Sequence, residues 1–204
     1  LYKYNPLNES FDLVESTKNR DIRDIKLDSK GNIWYIAGLT LCRYNEKSKK
    51  LNTFEPRIHS GATSLTITAN DEVWVSTTDG FIQKYNDKIN TFENYNVFIN
   101  SKPTISSWIE KLYDTGRGFF FIGTSNQGIK TFDINTLTYK DILVTNPDQT
   151  PIYARDFIAK DDGEYWIATE SGLFIYNIKT GKYSNLRNKF NDPYSISDNA
   201  VYTL

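Results

Sequence analysis

At 204 residues the chain is long enough for one or two domains, and its 39 % hydrophobic and 24 % charged residues suit a globular protein rather than a disordered one. No run of about 18 apolar residues is present to span a bilayer. A net charge of -1 supplies no basic excess for phosphate binding, which argues against a nucleic-acid partner, and the single cysteine, Cys42, allows no intrachain disulfide and does not discriminate compartments.

In chain order, Leu1-Tyr2-Lys3-Tyr4-Asn5 matches Leu173-Phe174-Ile175-Tyr176-Asn177, so the sequence opens in mid-repeat. The first full copy turns at Asp28-Ser29-Lys30-Gly31, passes Trp34 and reaches Cys42-Arg43-Tyr44-Asn45. The second has the shorter turn Asn70-Asp71, then Trp74 and Gln83-Lys84-Tyr85-Asn86. The third turns at Asp114-Thr115-Gly116-Arg117-Gly118, carries Phe121 in the anchor position and continues to Lys130-Thr131-Phe132-Asp133. The fourth reads as strands over Ala154–Ala159, Glu164–Thr169, 173–176 and 182–186, with Trp166 in the second. Its turns are Lys160-Asp161-Asp162-Gly163, Glu170-Ser171-Gly172 and Asn177-Ile178-Lys179-Thr180-Gly181. Gly172 is free to take positive φ, and Asn177, like Asn5, Asn45, Asn86 and Asp133 before it, can bond the backbone two residues on. Residues 191–204 open a further copy that never reaches its anchor, so the sequence is expected to be a piece of a longer protein.

The anchors lie 40, 47 and 45 residues apart. Four short antiparallel strands at that period predict an all-β fold of β-propeller blades, because one small sheet cannot bury both faces until neighbours stack on it. The expected division is the end of a truncated blade at 1–20, blades at 21–60, 61–105, 106–150 and 151–190, and the start of another at 191–204, all one propeller domain. Each anchor should fill the gap to the next blade, contributing about 2–3 kcal/mol by burial.

The phrases Asp162-Gly163-Glu164-Tyr165-Trp166-Ile167-Ala168-Thr169 and Gly172-Leu173-Phe174-Ile175-Tyr176-Asn177 resemble the two-component regulator propeller repeat, as does Asn191-Asp192-Pro193-Tyr194-Ser195-Ile196-Ser197-Asp198-Asn199-Ala200-Val201. The resemblance covers nearly the whole chain. It is weakest at residues 61–77, where the Gly before the anchor is lost, and at Phe121, which replaces Trp. That family builds the periplasmic sensor region of hybrid two-component system histidine kinases in gut Bacteroidetes, and most members sense fragments of complex glycans. The resemblance therefore implies about four full blades and two partial ones cut from a seven-bladed propeller. It also implies a membrane-anchored parent with a histidine kinase, and a non-catalytic sensor module with an oligosaccharide ligand. Exposed end blades would favour pairing between chains as a homodimer. The competing reading is a protein-interaction propeller scaffold, although the Gly-His … Trp-Asp and double-Gly signatures of such scaffolds are absent.

Catalytic chemistry has little to stand on. His59 is the only histidine and sits in a polar stretch, which reads as a solvated loop. Asp161-Asp162 belongs to a turn that wants Asp and Gly for backbone reasons, Asp21/Asp24 form the other carboxylate pair, and no phosphate loop is present, so no metal or cofactor is expected. Binding is easier to argue. In the family the first strand is innermost, and aligning the anchors puts Asp21 and Arg23 in register with Trp108 and Glu110 and with Tyr153 and Arg155. Aromatic faces mixed with charges can stack on a sugar ring and bond its hydroxyls. Trp108 reads equally as a cap over the strand end. Arg23 and Arg155 are also candidates for ion pairs with their neighbours Asp24 and Asp156.

Overall fold

The computed structural model describes residues 1–55, 60–100, 105–160 and 163–204. His59 and the Asp161-Asp162 pair lie outside the described residues. A two-stranded hairpin of β1 (Tyr2–Asn5) and β2 (Ser10–Leu13) is followed by four four-stranded antiparallel sheets. The first holds β3 (Ile22–Leu27), β4 (Asn32–Ala37), β5 (Thr40–Asn45) and β6 (Lys50–Phe54). The second holds β7 (Ala62–Ile67), β8 (Val73–Thr77), β9 (Phe81–Asn86) and β10 (Thr91–Asn96). The third holds β11 (Ile109–Asp114), β12 (Phe119–Thr124), β13 (Ile129–Asp133) and β14 (Thr138–Leu143). The fourth holds β15 (Ala154–Ala159), β16 (Glu164–Thr169), β17 (Gly172–Asn177) and β18 (Tyr183–Leu186). Each sheet is a simple meander in chain order, and β3, β7, β11 and β15 line up beside one another as the innermost strands of a partial propeller.

The core lies between sheets rather than within them. Trp34 packs on Phe54 of its own sheet and, edge-on at 5.2 Å, on Tyr85 of the second. Trp74 meets Phe120 and Phe132 of the third sheet at 5.1 and 5.9 Å. Phe121 stacks on Phe157 at 5.4 Å and meets Tyr165 edge-on at 4.7 Å, both in the fourth. The expected inter-blade role of these three anchors is therefore seen directly, and all three are fully buried. Trp166 departs from it. It is only half-buried, its indole N–H donates to Glu164 Oε1 at 2.9 Å and Lys160 Nζ lies 5.2 Å from its ring centroid. Within the described residues no further sheet lies against the face that carries it. The same logic explains why β8 is buried along its whole length: it is a second strand, covered on both faces, and its two polar residues, Ser76 and Thr77, are hydrogen-bonded to Thr63 and Asp79.

The turn signals have a physical basis in the side chains. Asn5, Asn86, Asp133 and Asn177 each accept the backbone N–H two residues on at 2.8–3.1 Å, and Asn45 accepts that of Ser48, three on, at 2.9 Å. The fourth residue after each turns left-handed, with φ of +52° at Glu9, +56° at Lys49, +53° at Asn90, +57° at Leu137 and +68° at Gly181. The loop thus fixes strand register with the same device in every repeat. Gly172 does take positive φ, at +115°, and a Cβ there would stand 2.4 Å from Asn185 Oδ1. Two features therefore require glycine at that position.

Candidate functional site at the inner-strand mouth

All four innermost strands share one irregularity. The register of β3 on β4 slips between Ile22 and Asp24, of β7 on β8 between Ala62 and Ser64, of β11 on β12 between Ile109 and Lys111, and of β15 on β16 between Ala154 and Asp156. The extra residues are Arg23, Thr63, Glu110 and Arg155, each eleven positions before its anchor. A bulge frees one residue from the ladder and re-aims its side chain, and bulges are over-represented beside binding sites. Two positions earlier stand Asp21, Gly61, Trp108 and Tyr153. Their carbonyls accept the N–H of Gly38, Thr78, Ser125 and Glu170 at 2.8–3.2 Å, which ties each inner strand to the turn after the second strand. All these groups consequently face one mouth.

The residue after each bulge links blade to blade. Asp24 Oδ2 accepts the Leu65 N–H at 3.0 Å, Ser64 Oγ accepts that of Leu112 at 3.2 Å, and Asp156 Oδ2 accepts that of Leu204 at 3.2 Å. Lys111 pairs with Asp156 at 3.4 Å. Each N–H donor lies two residues past a bulge, which puts Tyr202 in the frame of Arg23, Thr63, Glu110 and Arg155. Tyr202 belongs to a copy without an anchor, so counting from anchors could not reach it. Thr63, held 2.9 Å from Ser76 Oγ, could have been found by the same spacing but has no distinctive chemistry.

The side chains converge around Arg155. Its guanidinium carbon lies 4.4 Å from the Tyr153 ring and 4.5 Å from the Tyr202 ring, while Nε donates to Glu170 Oε1 at 2.7 Å and a terminal nitrogen reaches the same oxygen. Burial pushes the Glu110 carboxyl above its ordinary range; the Tyr153 hydroxyl, the charges of Arg155 and Arg23, and the Trp108 indole pull the other way. Burial, then the hydrogen bond and charge of Glu110, push the Tyr153 hydroxyl up to about 12. Arg23 Nε contacts Asp21 Oδ2 at 3.3 Å, and this pair is well exposed.

Trp108, Glu110, Tyr153 and Arg155 thus form one cluster, with Arg23 close enough to act on Glu110 and Asp21 at its rim. The expected pairs Arg23–Asp24 and Arg155–Asp156 do not form. Asp24 and Asp156 are turned toward the next blade, where they accept the backbone N–H groups of Leu65 and Leu204. The arginines instead use Asp21 and Glu170. Glu170 gave no sequence signal, because its turn position explains it fully. A separate open groove of about 820 Å³ lies between the N-terminal hairpin and the first sheet, lined by Tyr2, Tyr4, Ile25, Leu27 and Tyr44, and no mouth residue borders it. Among the described residues no group of three or more His, Cys, Asp or Glu is arranged to hold a metal ion.

No family model and no curated protein matches the chain. Among solved structures, the extracellular domain of a hybrid two-component system from B. thetaiotaomicron is similar at 20 % identity and a TM-score of 0.84, over 99 % of this chain and 27 % of that one. A catalytically inactive histidine-to-alanine form of virginiamycin B lyase from Staphylococcus aureus, with quinupristin, is similar at 13 % identity and 0.67, over 92 % of this chain and 62 % of that one. Sqt1 of Saccharomyces cerevisiae is similar at 13 % identity and 0.70, over 90 % and 54 %. The likeness establishes the fold. The chain spans about a quarter of the length of the first of these structures, at 27 %.

Proposed function

We propose that the chain is a non-catalytic sensor module, part of the extracytoplasmic region of a hybrid two-component signalling protein, and that it responds to a glycan fragment at the inner-strand mouth. The observation that carries the reading is the convergence of Trp108, Glu110, Tyr153, Arg155 and Tyr202, three of them at bulged or bulge-equivalent positions. Aromatic rings beside a carboxylate and a phenol suit a sugar, whose C–H face stacks while its hydroxyls both donate and accept. The similarity to the B. thetaiotaomicron domain supports the signalling context. Catalysis has weaker support from the sequence, which offers a single histidine, His59, for acid–base work.

A thermal-shift screen of the intact protein against oligosaccharides tests the proposal. Ligand at about 100 times its Kd adds about 2.7 kcal/mol to stability, and replacing Trp108 by Ala should abolish the shift. A screen in which no oligosaccharide shifts the transition while a protein partner is captured tightly would favour a scaffold instead.

A further inference from the structure

We infer that the mouth selects by charge, accepting uncharged oligosaccharides and rejecting acidic ones; this rests on the sugar reading above and narrows it. Each arginine that could hold a carboxylate or sulfate already has a carboxylate partner. Arg23 has Asp21 at 3.3 Å. Arg155 has Glu170 through two nitrogens, and its guanidinium carbon lies 4.4 and 4.5 Å from the Tyr153 and Tyr202 ring centroids. A guanidinium whose charge is already met by a carboxylate has less to offer an incoming anion. The third carboxylate, Glu110, has no cation in direct contact and feels Arg155 and Arg23 only at longer range.

In the cluster of Asp21, Arg23, Glu110, Arg155 and Glu170, three carboxylates face two guanidiniums, a formal -1 among these described residues. Asp24 is paired with Lys26 at 3.4 Å and Asp156 with Lys111 at 3.4 Å. An acidic sugar would have to displace Asp21 or Glu170 from its arginine or place its own charge near Glu110. A neutral sugar meets no such cost. Its hydroxyls can donate to the remaining lone pairs of Glu110 and to the Tyr153 oxygen, and the exposed Tyr202 ring offers a face for stacking.

The test is calorimetric titration of the intact protein with two sets of probes. The neutral set is oligosaccharides from arabinan, galactan and mannan; the acidic set is oligogalacturonides and chondroitin sulfate oligosaccharides. The selection predicts binding within the neutral set and none within the acidic set. Glu110→Gln should weaken the neutral ligand about tenfold, since it exchanges a charge-assisted hydrogen bond for a neutral one. Glu170→Gln, which leaves Arg155 free, should let an acidic probe bind that the unaltered protein refuses. Far-UV circular dichroism confirms that each variant folds. An acidic probe bound by the unaltered protein as tightly as any neutral one overturns the charge selection and leaves the sugar reading standing. Binding by neither set overturns both.

Discussion

Truncating Phe121 tests whether the anchors work across the gap between blades or within their own strand. Phe121 is fully buried, and its closest ring partners on the facing sheet are Phe157, stacked at 5.4 Å, and Tyr165, edge-on at 4.7 Å. Removing a fully buried phenyl leaves a cavity that two rigid aromatics cannot close, so Phe121→Ala should cost about 3–5 kcal/mol. With a urea slope of about 2–3 kcal/mol/M for a chain of this size, the unfolding midpoint should fall by about 1.5 M. Trp166 occupies the equivalent place in the fourth sheet but is only half-buried, so Trp166→Ala should cost about 1–2 kcal/mol in the 204-residue chain despite removing a larger ring. Equal losses in the two variants, read from urea denaturation followed by far-UV circular dichroism, would refute the inter-blade account. They would place the anchor energy in strand propensity instead.

Glycine substitutions should separate strain from collision. At Gly128, with φ of +68°, a Cβ would stand 1.9 Å from the Leu143 carbonyl oxygen, so Gly128→Ala should cost well over 2 kcal/mol; Gly31→Ala, at φ of +79° with open space around it, should cost about 1–2 kcal/mol, and urea midpoints compare the two. Leu137 is left-handed at φ +57° and 47 % exposed, so Leu137→Asn should raise the thermal midpoint by an amount corresponding to about 0.5 kcal/mol. Asp24→Ala strips the acceptor from the buried N–H of Leu65 and should cost about 1–3 kcal/mol by the same denaturation assay. Glu110 faces Tyr153 and Arg155 of the fourth sheet, Arg23 of the first and Trp108 of its own, and its folded pKa lies above the ordinary 4.5. A raised folded value favours the native state at low pH, and that advantage fades as pH climbs through it; the stability of Glu110→Gln relative to the unaltered chain should therefore increase as pH rises from the ordinary carboxylate range through the folded value and then level off.

Much of the fold could be read from the sequence because the devices that set it are local. An Asn or Asp at the third turn bonds its own loop, and Trp34, Trp74 and Phe121 announce strands that must be covered on both faces. The strands expected at Ala154–Ala159 and Glu164–Thr169 coincide with β15 and β16. Trp166 was misjudged because its burial depends on what lies against its sheet, and no spacing within a repeat encodes that. The ion pairs failed for a related reason. Sequence adjacency makes Asp24 and Asp156 the obvious partners, while the bulge re-aims Arg23 and Arg155 and the two aspartates bond backbone N–H groups instead.

The mouth shows how a structural repeat can vary at one point without losing its shape. The bulge at position eleven before the anchor recurs in sheets whose bulged residues differ in size and charge: two arginines (Arg23, Arg155), Thr63 and Glu110. Its cause is therefore the backbone, tied at both sides by the carbonyl two residues before and by the inter-blade link one residue after. The backbone ties hold the bulge whatever side chain it carries, so the residue can change type while the blade remains intact. Conversely, the linking residues Asp24, Ser64 and Asp156 must present an acceptor to the next blade whatever the ligand is. Under the proposed function, recognition and assembly fall on adjacent residues of the same strand: substitutions at 23, 63, 110 and 155 should act mainly on binding, with Glu110→Gln also shifting stability with pH, and those at 24, 64 and 156 should act on stability.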